Sequence, residues 1–341
     1  MSTRHSAASA PATASQQAFA DDVARGLSAR PRQLAPRYFY DDLGSALFEA
    51  ICRLPWYGIT RSELHLLGRH ALDILRQASP VSDVVDLGPG YGGKLSTFLR
   101  STDTPLHARV HLIDVSAAAL DAAAGTIRGR PDLAVRTYEA EYDEGLSAAL
   151  AGRASTSSTR LPRGGRALVL FLGSNVGNLD PTDAAGFLRR IRARLAPGDG
   201  LLLGTDLVKP ERDLLLAYDD PLGITAAFNR NLLVRINREL DGDFDVASFS
   251  HRAVWNAAAS RVEMHLVSDH RQTATIPAAG VTLTFEAGES IWTESSYKYT
   301  SERVVALLAG AGFDVTGQWV EEGFALTFAR AARGFILEHS V

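Results

Sequence analysis

Two textures of hydrophobic patterning divide the chain. From about Arg61 to Asp206, helix-like and strand-like apolar stretches alternate. RSELHLLGRHALDILRQA repeats apolar residues at the spacing of one helix face. VSDVVDLG is a short β-branched run closed by glycine, and GGKLSTFLR opens the next helix. RVHLIDVS predicts a second strand, with Ser116 placed to cap the helix AAALDAAAGTIR. LAVRTYEA is a third strand, GRALVLFLGS a fourth of the fully buried type, and GDGLLLGTD a fifth. Between the last two, Asp180-Pro181 predicts a helix start, with Asp as cap and Pro at the first helical position. Strands alternating with helices predict a parallel, doubly wound sheet.

The second texture begins near Lys209. ERDLLLAYDD and TAAFNRNLLVRINREL are helical, whereas DFDVASFSHRAVWN, RVEMHLVSDHRQTATI and GVTLTFEAGES alternate as strands of an inserted antiparallel segment. SERVVALLAGAGFDVTGQWVEEGFALTFAR then reads helix, strand, strand and returns to the first sheet. The opening residues 1–16 are rich in Ala, Ser and Thr without a periodic face, and predict a disordered leader. AGRASTSSTRLPRGG reads as a polar loop.

Composition narrows the function classes. The chain has 341 residues, 46% hydrophobic and 22% charged, with a net charge of -4. That balance makes no electrostatic case for nucleic acid or an anionic membrane. No apolar run is long enough to span a bilayer, and no secretory h-region is present, so neither nucleic acid nor membrane is expected as a partner. Cys52 is the single cysteine, which fits a reducing cytoplasm. The histidines lack metal-ligand spacing, and no metal is expected.

Candidate chemistry follows the strands. DLGPGYGG, from Asp86 to Gly93, lies after the first strand and before a helix. Gly88, Gly90 and Gly92 permit a tight turn and close approach of a ligand, and the helix behind offers unpaired N–H groups to an anion. After a first strand, D-x-G-x-G-x-G is the form used by methyltransferases, so S-adenosyl-L-methionine is the expected cofactor. Asp114 ends the second strand and reads either as acceptor for ribose hydroxyls or as part of a helix cap. Glu141 and Tyr142 follow the third strand, as an adenine contact or a solvated loop. FLGSNVGNLDP follows the fourth strand. There Gly173 and Gly177 bend the chain, and Asn178 offers an amide that both donates and accepts.

YFYDDLGSALFEAICRLPWYGITRSE, FLGSNVGNLDP, AYDDPLGITAAFNRNLLVRINRELDGDFD and TESSYKYT together resemble one family, over nearly the whole span from Pro31 to Arg330. It is the histidine-specific methyltransferase family of ergothioneine biosynthesis, whose members trimethylate the α-amine of L-histidine to hercynine. The resemblance implies an α/β fold: a Rossmann-like class I methyltransferase sheet, parallel with an antiparallel terminal strand, plus a discontinuous α+β substrate-binding domain. The cofactor domain would comprise 61–207 and 297–341, and the substrate domain 17–60 and 208–296. It further implies cofactor contacts at Gly88, Gly90, Lys94, Asp114, Glu141 and Tyr142. Substrate amine and carboxylate would be held by Tyr57, Asn178 and Tyr218, with Gly173 beside them and Tyr40 acting through water. Glu294 and Ser296 would recognise the imidazole, with Met264 lining the same pocket. Asn178, Tyr57 and Tyr40 carry the catalytic expectation. A small-molecule amino-acid substrate, a monomer and a cytoplasmic location complete it.

Three departures bear on substrate identity. LPWYGIT stands where the family has LPEYYPT, so Trp56 and Gly58 replace a glutamate and a second tyrosine. Asn175 stands for a threonine, and the cofactor loop reads Gly-Pro-Gly-Tyr rather than a Gly-Ser/Thr run. Two other readings therefore stay open: the same reaction on a tryptophan- or tyrosine-like amino acid, and a non-catalytic cofactor-binding protein.

Overall fold

The computed structural model describes residues 14–101, 105–151, 153, 161–162 and 164–334. In chain order the elements begin with α1 (Ala14–Ser28), β1 (Arg32–Gln33), α2 (Asp42–Cys52) and α3 (Gly58–Ala78). The alternating stretch follows: β2 (Val81–Leu87), α4 (Gly93–Arg100), β3 (Ala108–Asp114), α5 (Ala117–Thr126), β4 (Leu133–Glu139), α6 (Tyr142–Ala151), β5 (Arg166–Phe171), α7 (Pro181–Arg194) and β6 (Gly200–Asp206). Next come α8 (Glu211–Tyr218), α9 (Ile224–Glu239), β7 (Phe249–Asn256), β8 (Arg261–Ser268), β9 (Gln272–Ile276), β10 (Val281–Phe285) and β11 (Ser290–Tyr297). The described chain closes with α10 (Ser301–Gly310), β12 (Phe313–Glu321) and β13 (Phe324–Ala331).

The chain divides into two compact units. The sheet unit holds Tyr57–Glu211, Ala257–Arg261 and Ser295–Val341. Its seven strands run in the order β12-β13-β6-β5-β2-β3-β4. β6, β5, β2, β3 and β4 are mutually parallel, and β13 pairs antiparallel with both β6 and β12. This is the parallel α/β sheet the alternation predicts, with the antiparallel terminal strand that the resemblance implies. The central strands are largely apolar because helices cover both faces: every residue of β2 and β6 is buried, including the carboxylates Asp83, Asp86 and Asp206. Strand order reverses between β2 and β5, so the loops after these neighbouring strands form the natural ligand crevice. Near the opposite ends of the strands, Asp83 takes a two-bond contact from Arg109 at 2.6 and 2.9 Å and a third from His111 at 3.1 Å. These bonds hold its carboxyl well below the usual range against the upward push of burial.

The second unit holds Met1–Trp56, Arg212–Asn256 and Val262–Glu294. Its main sheet runs β1-β11-β8-β7, and β9 and β10 form an antiparallel pair. Its helices are tied down by polar residues of the long family-like segment. Asp220 caps the start of α9 by accepting from the N–H groups of Leu222, Ile224 and Thr225 at 3.0, 3.2 and 2.7 Å. Asn231 donates to Asp41 at 2.7 Å, and Asp41 also accepts from Gly44 N at 2.7 Å as the cap of α2. Asn237 closes a two-way bridge with the backbone of Phe244.

Several expectations are corrected. Residues 1–13 of the expected leader lie outside the described residues, and residues 14–16 belong to α1. Most of the expected polar loop also lies outside the described residues. The sheet built by the inserted strands also takes in β1 from outside the insertion, paired parallel with β11. The stretch 261–276 is two strands rather than one, and β7 starts only at Phe249, after a 3-10 turn. Asp180 takes the N-cap position of α7 with Pro181 after it, as expected, but its side chain makes no capping hydrogen bond and accepts instead from the Tyr297 hydroxyl at 2.7 Å. Ser116 does cap α5, accepting from Ala119 N at 3.2 Å.

Candidate active site

The loop after β2 is shaped by backbone conformations that need glycine. Gly88 has φ +74°, and a Cβ there would lie 2.6 Å from the Tyr142 hydroxyl and 3.2 Å from Asn175 Nδ2. Gly92 has φ +77°, and a Cβ would meet the Ala123 Cα at 2.7 Å. Both positions are closed to side chains by φ and by space. Gly90 also has a positive φ, but open space surrounds it.

Charges gather beneath this loop. Asp86 closes on the end of β2, is only 2% exposed, and makes no hydrogen bond to the described residues. Burial pushes its pKa up to about 7; the carboxylates of Glu63 and Asp114 add to the rise and the Lys94 ammonium opposes it. Glu63, on α3, is fully buried and pairs with Lys94 Nζ at 2.9 Å. Asp114 accepts from Ser116 N at 3.0 Å, so one oxygen is engaged in the turn before α5. Burial raises its pKa although backbone N–H groups oppose the rise. Glu141 is exposed. Tyr142 stands edge-on to Phe171 with ring centroids 5.8 Å apart, and its hydroxyl reaches the Gly88 turn. Burial, then the Asp114, Asp86 and Glu141 carboxylates, hold that hydroxyl in its neutral form.

The turn after β5 is bonded to the same cluster. Gly173 N–H donates to both oxygens of Glu63 at 2.8 and 3.0 Å. A Cβ on Gly173 would come within 2.5 Å of Lys94 Nζ. Ser174 adopts φ +57°, and its hydroxyl accepts from Asp206 N at 2.9 Å. Asn175 lies between the two glycine turns, beside both Gly88 and Gly173. Asn178 ends this 3-10 turn, half-buried, and its amide makes no hydrogen bond to the described residues. Tyr57, which precedes α3, is buried in the same unit. Ser296 is buried, and its hydroxyl accepts from Lys298 Nζ at 2.8 Å.

The remaining expected residues fall in the second unit. The Tyr40 ring lies against Phe48 and Phe228, with centroids 5.5 and 5.9 Å away, and is 40% exposed. Tyr218 ends α8, and its carbonyl accepts from His251 Nε2 at 2.8 Å. Met264 is buried on the inner face of β8 beside Val262 and Leu266, and its carbonyl accepts from Thr293 Oγ1 at 3.0 Å. Glu294 is half-buried on β11, and its carbonyl accepts from Trp292 Nε1 at 2.8 Å.

Glu63 and Lys298 are the site-adjacent residues that sequence reasoning misses. Each carried a signal. Glu63 sits on the stripe Ile59, Ser62, Glu63, Leu66, Leu67, a charge at a core position of a helix. Lys298 is a lysine inside TESSYKYT, on a segment not read as a strand. Among the described residues no cluster of His, Cys, Asp or Glu could hold a metal ion, and no helix is long and apolar enough to cross a membrane.

Residues 19–331 match the family model described as histidine-specific methyltransferase, SAM-dependent. A histidine N-alpha-methyltransferase of Mycobacterium tuberculosis is 42% identical, over 90% of this chain and 93% of that one. Ergothioneine biosynthesis protein 1 of Neurospora crassa is 25% identical over 91% of this chain and 35% of its own length. An L-tryptophan methyltransferase of Psilocybe serbica is 25% identical over 89% of each.

Proposed function

The chain belongs to the histidine-specific, S-adenosylmethionine-dependent methyltransferase family, and we propose that it methylates the α-amine of L-histidine three times to give hercynine. The observation that carries this reading is the meeting of two turns at neighbouring strand ends. One stands over the Lys94 ammonium and the buried Asp86 carboxylate; the other presents Asn178, whose amide makes no hydrogen bond to the described residues.

The residues fit the cofactor's charges. Lys94 would hold the carboxylate of its amino-acid head and Asp86 the α-ammonium, a pairing that returns Asp86 to its ionised form. Asp114 would accept from the ribose, and Glu141 and Tyr142 would face the adenine, while Gly88 and Gly90 let the backbone approach. S-adenosylmethionine supplies an electrophilic methyl on a sulfonium. Each transfer forms an N–C bond, breaks an S–C bond and requires the amine to have lost a proton beforehand, which water accepts.

The protein's share is placement. Asn178 would orient the substrate amine toward the methyl that the cofactor supplies, and placement of this kind can lower the barrier substantially. Tyr57 and Tyr218 hold the carboxylate, Tyr40 acts through water, and the Gly173 backbone bounds the site. Glu294 accepts from one imidazole nitrogen and Ser296 serves the other, with Met264 as an apolar wall. The reading includes a cytoplasmic monomer. Trp56, Gly58 and Asn175, together with the tryptophan-methylating relative, support a second reading in which a different amino acid is the acceptor.

The test is mass spectrometry of L-histidine incubated with enzyme and cofactor, run beside tryptophan and tyrosine. The expected product carries three added methyls on histidine, with one S-adenosylhomocysteine released per methyl. Unchanged histidine beside methylated tryptophan or tyrosine overturns the histidine assignment.

A further inference from the structure

The carbonyl of Tyr218 is held from β7 through a chain of side chains whose hydrogens have only one arrangement. His251, on β7, has a side chain 1% exposed, and its Nε2 donates to the Tyr218 carbonyl at 2.8 Å. The Asp219 carboxylate stands 3.9 Å from the same nitrogen, too far to compete for the hydrogen. Asn229, fully buried on α9, places its Nδ2 2.9 Å from His251 Nδ1 and 3.1 Å from the His265 carbonyl on β8. All of these residues belong to the second unit.

A carbonyl can only accept, so both ends of the chain are fixed. The Asn229 atom that faces the His265 carbonyl must be the amide nitrogen, which gives its second hydrogen to His251 Nδ1. The imidazole then carries its one hydrogen on Nε2, aimed at Tyr218. Burial favours this neutral form by lowering the pKa of His251, although the Tyr218 carbonyl opposes the shift. Tyr218 is the last residue of α8, where a helix leaves its carbonyls without partners of its own. On the other side, Asp220 binds the N–H groups of Leu222, Ile224 and Thr225. The turn that carries Tyr218 is therefore pinned from both directions, and the buried ring follows its backbone. We propose that His251, oriented by Asn229, is a positioning residue that sets Tyr218 to receive the carboxylate of the amino-acid substrate. The proposal rests on the assignment of that carboxylate to Tyr218.

The test uses two amides that divide the contacts of the imidazole. In His251→Gln the amide reaches the place of Nε2 and still donates to Tyr218; in His251→Asn it reaches only the place of Nδ1. His251→Asn should raise the KM for L-histidine about tenfold, the loss expected for one hydrogen bond, while kcat and S-adenosylmethionine affinity keep their parental values. His251→Gln should return KM most of the way to the parental value. Tyr218→Phe should also raise KM, and His251→Asn added to it should raise KM no further, because both act through one contact. A purely structural histidine would lower kcat and cofactor affinity as well, and its effect would add to that of Tyr218→Phe. If His251→Asn fails to fold, Asn229→Ala releases the imidazole without removing it and should raise KM in its stead. A parental KM in the folded variant overturns the proposal, as does an equal KM in the glutamine and asparagine variants, or an additive double variant. If Tyr218→Phe keeps the parental KM while histidine is still methylated, the carboxylate assignment of Tyr218 fails, and the role of His251 fails with it.

Discussion

The carboxylate of Glu63 lies 2.9 Å from the ammonium of Lys94, and its two oxygens accept the Gly173 N–H at 2.8 and 3.0 Å. One buried residue thus ties the lysine behind the glycine loop to the turn that presents Asn178. Glu63→Ala would leave a backbone N–H and a partly buried ammonium without this partner. A loss of about 1–3 kcal/mol is expected for the orphaned groups, seen as a lower urea midpoint. Glu63→Gln keeps an acceptor for Gly173 and should cost less. An alanine variant as stable as the parent protein would show that the tie carries no load.

Asp86 makes stability and cofactor binding depend on pH. Its folded pKa, raised to about 7 by burial, lies above the ~3.9 of an unfolded aspartate. Between these values the folded chain binds a proton that the unfolded chain has released. The contribution to stability is therefore full below about pH 4 and falls as pH rises through about 7. Asp86→Asn should remove this decline from the thermal midpoint of the cofactor-free protein. Pairing of Asp86 with the cofactor's α-ammonium should expel the proton. Calorimetry of S-adenosylmethionine binding near pH 7, in buffers of unequal ionisation enthalpy, should then report proton release. Identical heats in both buffers would refute it.

Asn178 separates function from stability. Its amide makes no hydrogen bond to the described residues, so Asn178→Ala should shift the thermal midpoint little. If the amide orients the substrate amine, kcat/KM for histidine should fall by roughly 10- to 100-fold, the equivalent of a hydrogen bond worth about 1.5–3 kcal/mol to a charged or reacting group. Glu294→Ala should instead raise the histidine KM while leaving S-adenosylmethionine affinity as it was. An Asn178 variant with parental turnover removes it from the mechanism.

The sheet was legible because buried parallel strands such as β5 and β6 are continuous apolar runs, and each ends in a glycine or acidic turn. β11 was not, because it carries Thr293 and Ser296, and Lys298 directly after it, at positions that the structure buries. Their burial depends on partners far along the chain, such as Asp206, which no local pattern encodes. Asp180 reads as a cap from its neighbours, yet a distant tyrosine claims its carboxylate. The segment that identifies the family most strongly, AYDDPLGITAAFNRNLLVRINREL, proves to be largely structural: Asp220, Asn231 and Asn237 spend their side chains on backbone groups and caps. This stretch of the family resemblance therefore rests in good part on residues that keep the fold.

Gly88 and Tyr142 give the sharpest test of the loop itself. An alanine at Gly88 would put its Cβ 2.6 Å from the tyrosine hydroxyl, in a backbone region with φ +74°. Two penalties then act together: left-handed strain, about 1–2 kcal/mol for a residue with a Cβ, and a clash that must displace the ring or the loop. Tyr142→Phe removes the clashing oxygen and leaves the strain. Gly88→Ala should therefore weaken S-adenosylmethionine binding strongly, and Gly88→Ala with Tyr142→Phe should recover part of that affinity. The phenylalanine change alone should lose only what the hydroxyl contributes to the cofactor. Calorimetry on the four proteins separates the two penalties, because only the clash is relieved by the second substitution. If the double variant binds no better than Gly88→Ala, then backbone strain or a ligand contact, not the tyrosine, dictates glycine at this position.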